Sequence, residues 1–185
     1  YSEEWVEEAA RRGLPNLPTM VDAIPSLVSE KSVEMFEKFH VFTRAELESR
    51  AEIKYEAYAK AINIEARTMI DMASKQILPV IVKYTKDLAD TVNAVKEAGV
   101  DVDVQLELLK ETSELLREAK NALEQLKTVT AKAGAKEQSE VQAKAYRDEV
   151  VPAMEGLRAP IDKLEMIVDK NVWPMPSYAD LIFEV

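Results

Sequence analysis

A single histidine limits the chemistry open to this chain. His40 follows Glu37 at the Glu-x-x-His spacing, which sets a carboxylate and an imidazole one helical turn apart, as in bundles that hold two iron ions. Such a site takes two of these pairs plus further carboxylates, and there is no second histidine. The plainer reading makes His40 a helix-end residue beside Phe39 and Phe42. The absence of cysteine removes disulfides, thiolate metal sites and a cysteine nucleophile. No G-x-S-x-G, P-loop or G-x-G-x-x-G occurs, and 4 scattered glycines cannot cradle a phosphate. A Ser-His-Asp triad has little support either.

Carboxylates on apolar faces are the next place to look. A seam stepping through Ala51, Tyr55, Tyr58 and Ile62 reaches Glu65 before Met69 and Met72. A carboxylate buried there needs a cationic or hydrogen-bonding partner, and Arg67, Arg147 and Arg158 are candidates. On this reading Glu65, Arg147 and Arg158 form a buried polar network. On the other, the seam rotates by one residue, Ala66 and Met69 carry the packing, and Glu65 faces water. Arg158 and Asp162 are four apart and suit a surface pair. Met69, Met72, Met154 and Met166 could form an adaptable binding face, although core filling is the commoner use of methionine. Nothing in these residues amounts to a catalytic apparatus.

The elements that would position them are helical. Apolar residues make up 47% of 185, too many for a disordered chain. The net charge of -10 sets the chain against nucleic-acid phosphates and anionic membranes, so neither is an expected partner. The longest apolar stretch, Ile77 to Val82, contains Pro79 and is far shorter than a bilayer span. The lack of cysteine fits a reducing compartment, and a cytoplasmic location is expected. The first residue is Tyr1 rather than methionine, so a piece of a longer protein is expected.

A helix is predicted from a cap at Ser2 to about Arg12, ended by Gly13. An irregular connector with Pro15, Pro18 and Pro25 follows, with room for one short helical turn, then a short helix near Ser32 to Lys38. Thr43 and Glu46 make a capping box for a long helix running to about Gly99. At 1.5 Å per residue about 55 residues would reach roughly 80 Å, with a kink at Pro79. A second long helix is capped by Asp103, with a seam of Leu109, Leu116, Ala119, Leu123 and Leu126. A third runs from about Glu137 to Lys170 with Val150, Met154, Leu157, Ile161, Leu164 and Val168 at heptad spacing, and Pro152 and Pro160 should kink or break it. The expected fold is all-α: an elongated antiparallel bundle of three long helices, with short N-terminal helices and an extended C-terminal tail.

That tail, WPMPSYADLIFEV, is unusually apolar for a chain end. Pro174-Met175-Pro176 should be stiff and extended, leaving Trp173, Tyr178, Leu181, Ile182 and Phe183 as a docking strip. Fully burying such a side chain is worth roughly 1.5–3 kcal/mol.

Three stretches together resemble one family. YSEEWVEEAARRGLPNLPTMVDAIPSL is similar to the segment that follows the catalytic domain in type III glutamine synthetases. FHVFTRAELESRAEIKYEAYAKAINIEARTMIDMASKQILPVIVKY resembles the start of that family's C-terminal helical domain, and RDEVVPAMEGLRAPIDKLEMIVDKNVWPMPSYADLIFEV resembles its end. The region from 103 to 132 is generic heptad-like sequence. The resemblance implies a parent enzyme that ligates ammonia to glutamate with ATP and magnesium or manganese, assembled as a ring of subunits. It implies no catalytic, nucleotide or metal residue in this segment, because no position matches those motifs. The expected organisation is a junction to an upstream catalytic domain at 1–42, the helical bundle at 43–172 and the docking tail at 173–185. The segment would serve architecture, assembly or regulation. The competing expectation is a self-contained adaptor or ligand-binding module, with Glu65, Gln76 and Tyr84 lining a site between helices.

Overall fold

Helix starts and stops follow local chemistry closely. The computed structural model describes residues 2–176 and 178–183, with Tyr178, Ala179 and Phe183 described by backbone alone. Those residues are all-α, with no strand among them. Helix α1 (Glu3–Arg11) starts after an extended Ser2 whose side chain makes no cap bond. Thr19 caps α2 (Met20–Leu27) by accepting from Asp22 N, so the short helical turn allowed for in the connector is a helix of 8 residues that runs through Pro25. Ser29 caps α3 (Glu30–Lys38). The capping box before α4 (Arg44–Met72) forms as expected: Thr43 N donates to Glu46 Oε2 at 2.7 Å, and Glu46 N donates to Thr43 Oγ1 at 3.4 Å.

Prolines are accommodated by a device the sequence does not announce. A π-helical turn, Ala73–Ile77, stands between α4 and α5 (Leu78–Glu97), and Leu78 N donates five residues back to Ala73 O. Pro79 lacks an N–H, and its ring would strike the carbonyl four residues earlier, which belongs to Lys75 inside the wider turn. The same arrangement recurs later. Helix α7 (Ser139–Ala145) passes through the π turn Tyr146–Val150 into α8 (Val151–Ile167), so Pro152 likewise has its fourth preceding residue, Asp148, in the π turn. Pro160 causes no break; it lies buried within α8.

Contacts divide the chain into two units, Tyr1–Ala61 with Lys136–Ala145, and Ile62–Ala135 with Tyr146–Val185. In the first, Val21 and Ile24 of α2, Ala51 and Tyr55 of α4, and Ala143 of α7 form a core, with Leu27, Val28 and Tyr58 against it. Arg44 ties α4 to α3 through Glu30 at 2.6 Å, and the Arg44 guanidinium holds the Glu30 carboxyl below its usual range.

In the second unit α6 (Asp103–Gly134) turns back against α5 after residues 98–102 and also packs on α8. Its buried positions, Thr112, Leu115, Ala119, Leu123, Leu126, Thr130 and Ala133, keep heptad spacing. Leu115 is buried where the sequence favours Leu116. The α6 start is set by Asp101, whose carboxylate accepts from Asp103 N at 3.1 Å, rather than by Asp103 as cap. From Val150 in the π turn the buried line continues on α8 through Ala153, Leu157, Pro160 and Leu164; Ala153 and Pro160 replace the expected Met154 and Ile161. Where an extended tail is expected, the backbone forms a short helix α9 (Tyr178–Phe183).

Candidate functional site

Several acidic side chains on these helices are engaged with cations one turn away. Glu56 meets Lys60, Asp90 meets Lys86, Glu124 meets Lys120 and Lys127, and Asp162 meets Arg158 at 3.0 Å. Among the described residues no group of three or more His, Cys, Asp and Glu could hold a metal ion. Glu37 Oε1 accepts from Arg44 N at 3.1 Å, and His40 stands at a helix end with φ 55°. The donor set therefore does not suit the magnesium or manganese that the resemblance implies for a parent enzyme.

The sequence-derived polar candidates are spread over the second unit. Glu65 is exposed, and Ala66 beside it is fully buried, which is the rotated seam. Arg67 Nε donates to Asn63 Oδ1 at 3.1 Å. Arg147 grips Asp148 through Nε at 2.6 Å and Nη2 at 3.1 Å, while Arg158 is taken by Asp162. Gln76 is exposed. Tyr84 is half-buried and its hydroxyl donates to Ile167 O at 3.2 Å. Burial, helped by the charge of Asp169, pushes its phenol pKa up. The Tyr146 phenol, buried beside α6, is also pushed up by burial, an effect the Arg67 charge opposes.

Apolar surface is the more informative feature. At the C-terminal end, Trp173 N donates to Asp169 O at 2.9 Å, and the indole Nε1 is buried with no hydrogen-bond partner among the described residues. Lys170 pairs with Asp180 at 2.8 Å. Leu181 and Ile182 are 67% and 65% exposed; the side chains of Tyr178 and Phe183, also named for the docking strip, lie outside the described residues, as do Glu184 and Val185.

The N-terminal helix carries a second apolar surface that the sequence reading passed over. Trp5, Val6, Ala9 and Ala10 lie within an arc of α1, and Leu14, Pro15 and Asn16 return beside them to line a half-open hollow of about 570 Å³. No residue of α1 is buried. The signal was present in the sequence: two large apolar residues a turn from two alanines, with acids on the other side.

A helical chain with large apolar residues exposed near both ends of its sequence has the make-up of a helical packing domain. The comparisons with known proteins make this specific. The family model described as glutamine synthetase C-terminal domain matches residues 1–96, and the chain belongs to that family. Over 100% of its length it is 35% identical to a glutamine synthetase of Butyrivibrio fibrisolvens, covering 27% of that protein. It is 33% identical over 99% of its length to a glutamine synthetase of Bacteroides fragilis (strain YCH46), and 31% identical over 99% to a type-3 glutamine synthetase of Dictyostelium discoideum, covering 26% of each. The chain thus spans about a quarter of the length of these curated relatives.

Proposed function

We propose that this chain is the non-catalytic C-terminal domain of a longer glutamate–ammonia ligase, and that its work is architectural. The observation that carries the reading is the family match combined with the short span of the relatives that the chain covers. In the parent enzyme the ATP, the magnesium or manganese and the glutamate would be held upstream, in a catalytic domain of the same polypeptide. Residues 1–42 would form the junction to that domain, 43–172 the helical body and 173–185 a docking tail, with Trp173, Leu181 and Ile182 contributing apolar surface together with Tyr178 and Phe183. The parent would assemble as a homo-oligomeric ring, and this domain would place subunits in it. No described helix is long and apolar enough to cross a membrane, and a cytoplasmic location completes the proposal.

The test compares the purified 185-residue chain with the full-length protein. Given glutamate, ATP, magnesium and hydroxylamine, the isolated chain is expected to form no γ-glutamyl hydroxamate while the full-length protein does. Product from the isolated chain would overturn the assignment. So would full activity and unchanged assembly, by sedimentation, of a version ending before residue 1 of this segment.

A further inference from the structure

Helix α1 is amphipathic yet buries nothing within its own unit. Trp5 is 48% exposed, Val6 54% and Leu14 51%, although together with Ala9, Ala10 and Pro15 they line one concave apolar surface. The shape is fixed from within. Gly13 adopts φ 73°, which turns the chain back, and Gly13 N and Leu14 N donate to Ala10 O and Ala9 O at 3.0 and 2.9 Å. Arg12 lies 5.9 Å from the Trp5 ring centre and also pairs with Glu8, as Arg11 does. A short helix held this way, with its apolar face outward, has a shaped surface that a partner could fill.

We propose that the hollow between α1 and residues 14–16 is the seat for a surface of the polypeptide that precedes residue 1, the catalytic part proposed above. The inference rests on that reading and adds to it the place of contact. Two considerations favour this occupant. About three quarters of the relatives' length lies outside the stretch matched here, and the matching family model, by its description C-terminal, includes α1. Chain joined directly before α1 reaches the hollow at high effective concentration, whereas a separate molecule does not.

The experiment is hydroxyl-radical footprinting, read peptide by peptide, on the 185-residue chain and on the full-length protein. Trp5 is expected to react about fivefold more slowly in the full-length protein, as a half-exposed ring does when it enters a dry interface centre. Met166, 84% exposed and outside residues 1–42, serves as the reference. Val6→Glu should leave melting of the isolated chain unchanged and restore Trp5 reactivity in the full-length protein. Equal Trp5 reactivity in both proteins overturns the proposal. If Leu181 and Ile182 are protected instead, the architectural reading survives and only the seat is wrong; if neither end is protected, both fall. Trp5 protection that grows with concentration of the isolated chain would assign the hollow to a second copy and overturn it as well.

Discussion

Replacing Tyr84 by Phe removes one oxygen and tests how the second unit holds the end of α8. The Tyr84 hydroxyl donates to the carbonyl of Ile167, the last residue of α8, at 3.2 Å across 83 positions of sequence. That carbonyl is among the four at a helix end with no partner inside the helix. The ring stays, so packing is retained and the change reports the hydrogen bond. Its loss should cost about 1 kcal/mol, which lowers Tm by about 2–4 °C in a chain of this size. In urea the midpoint should fall with the slope unchanged. An alkaline readout distinguishes this bond from general loosening. Burial and Asp169 raise the Tyr84 phenol pKa in the folded chain, so the folded state keeps its proton to higher pH than the unfolded state does. The resulting stability is complete below the unfolded tyrosine value of about 10 and declines as pH rises through the folded value. Burial raises Tyr146 as well, so Tyr84→Phe should make the alkaline decline shallower without abolishing it. Because Trp173 N bonds to Asp169 O just beyond the helix, Trp173 emission in a Trp5→Phe background should shift to the red. An unchanged Tm together with an unchanged alkaline limb would refute the clamp.

Two further outcomes follow from burial and backbone geometry. Leu157 is fully buried on α8, and Leu157→Ala should cost about 3 kcal/mol, whereas Met166→Ala, at a side chain 84% exposed, should stay within about 0.5 kcal/mol; equal losses in thermal melts would contradict the placement of the seam. His40→Gly should stabilise by up to about 1 kcal/mol, because the exposed His40 holds φ 55° where the equivalent ends of α1 and α5 use Gly13 and Gly99; Gly99→Ala should lose a similar amount, and a destabilised His40→Gly variant would mean that the imidazole makes a contact worth more than the strain.

That comparison of helix ends shows what is readable in the sequence and what is not. Gly13 and Gly99 announce their stops, and the structure ends both helices with the same pair of bonds, from the glycine N–H and from the next residue. The end of α3 uses the same pair, from His40 N to Glu37 O and from Val41 N to Phe36 O, but with a residue type that carries no stop signal. Thr43 and Glu46 were legible because a capping box is local chemistry, complete within four residues. Pro25, Pro79, Pro152 and Pro160 were legible as disturbances, yet their outcomes differ. One sits in a short helix, two follow π turns, and one is buried in α8. Which outcome is chosen depends on how the flanking helices pack, and a single proline does not encode that. The Glu65 ambiguity has the same origin. Ranking positions by the size of their apolar side chains places the α4 seam on Met69 and Met72, but the buried line is Leu47, Ala51, Tyr55, Ala59 and Ala66, continued by Ala73 in the π turn. Alanine contributes little area and so little hydrophobic signal, while its missing bulk lets neighbouring backbones approach. The sequence signal is weakest along such a line of alanines, and there a carboxylate one residue along can be mistaken for the seam itself. The hollow on α1 is the opposite case: Trp5 and Val6 give a strong apolar signal, and no partner within their own unit accounts for it.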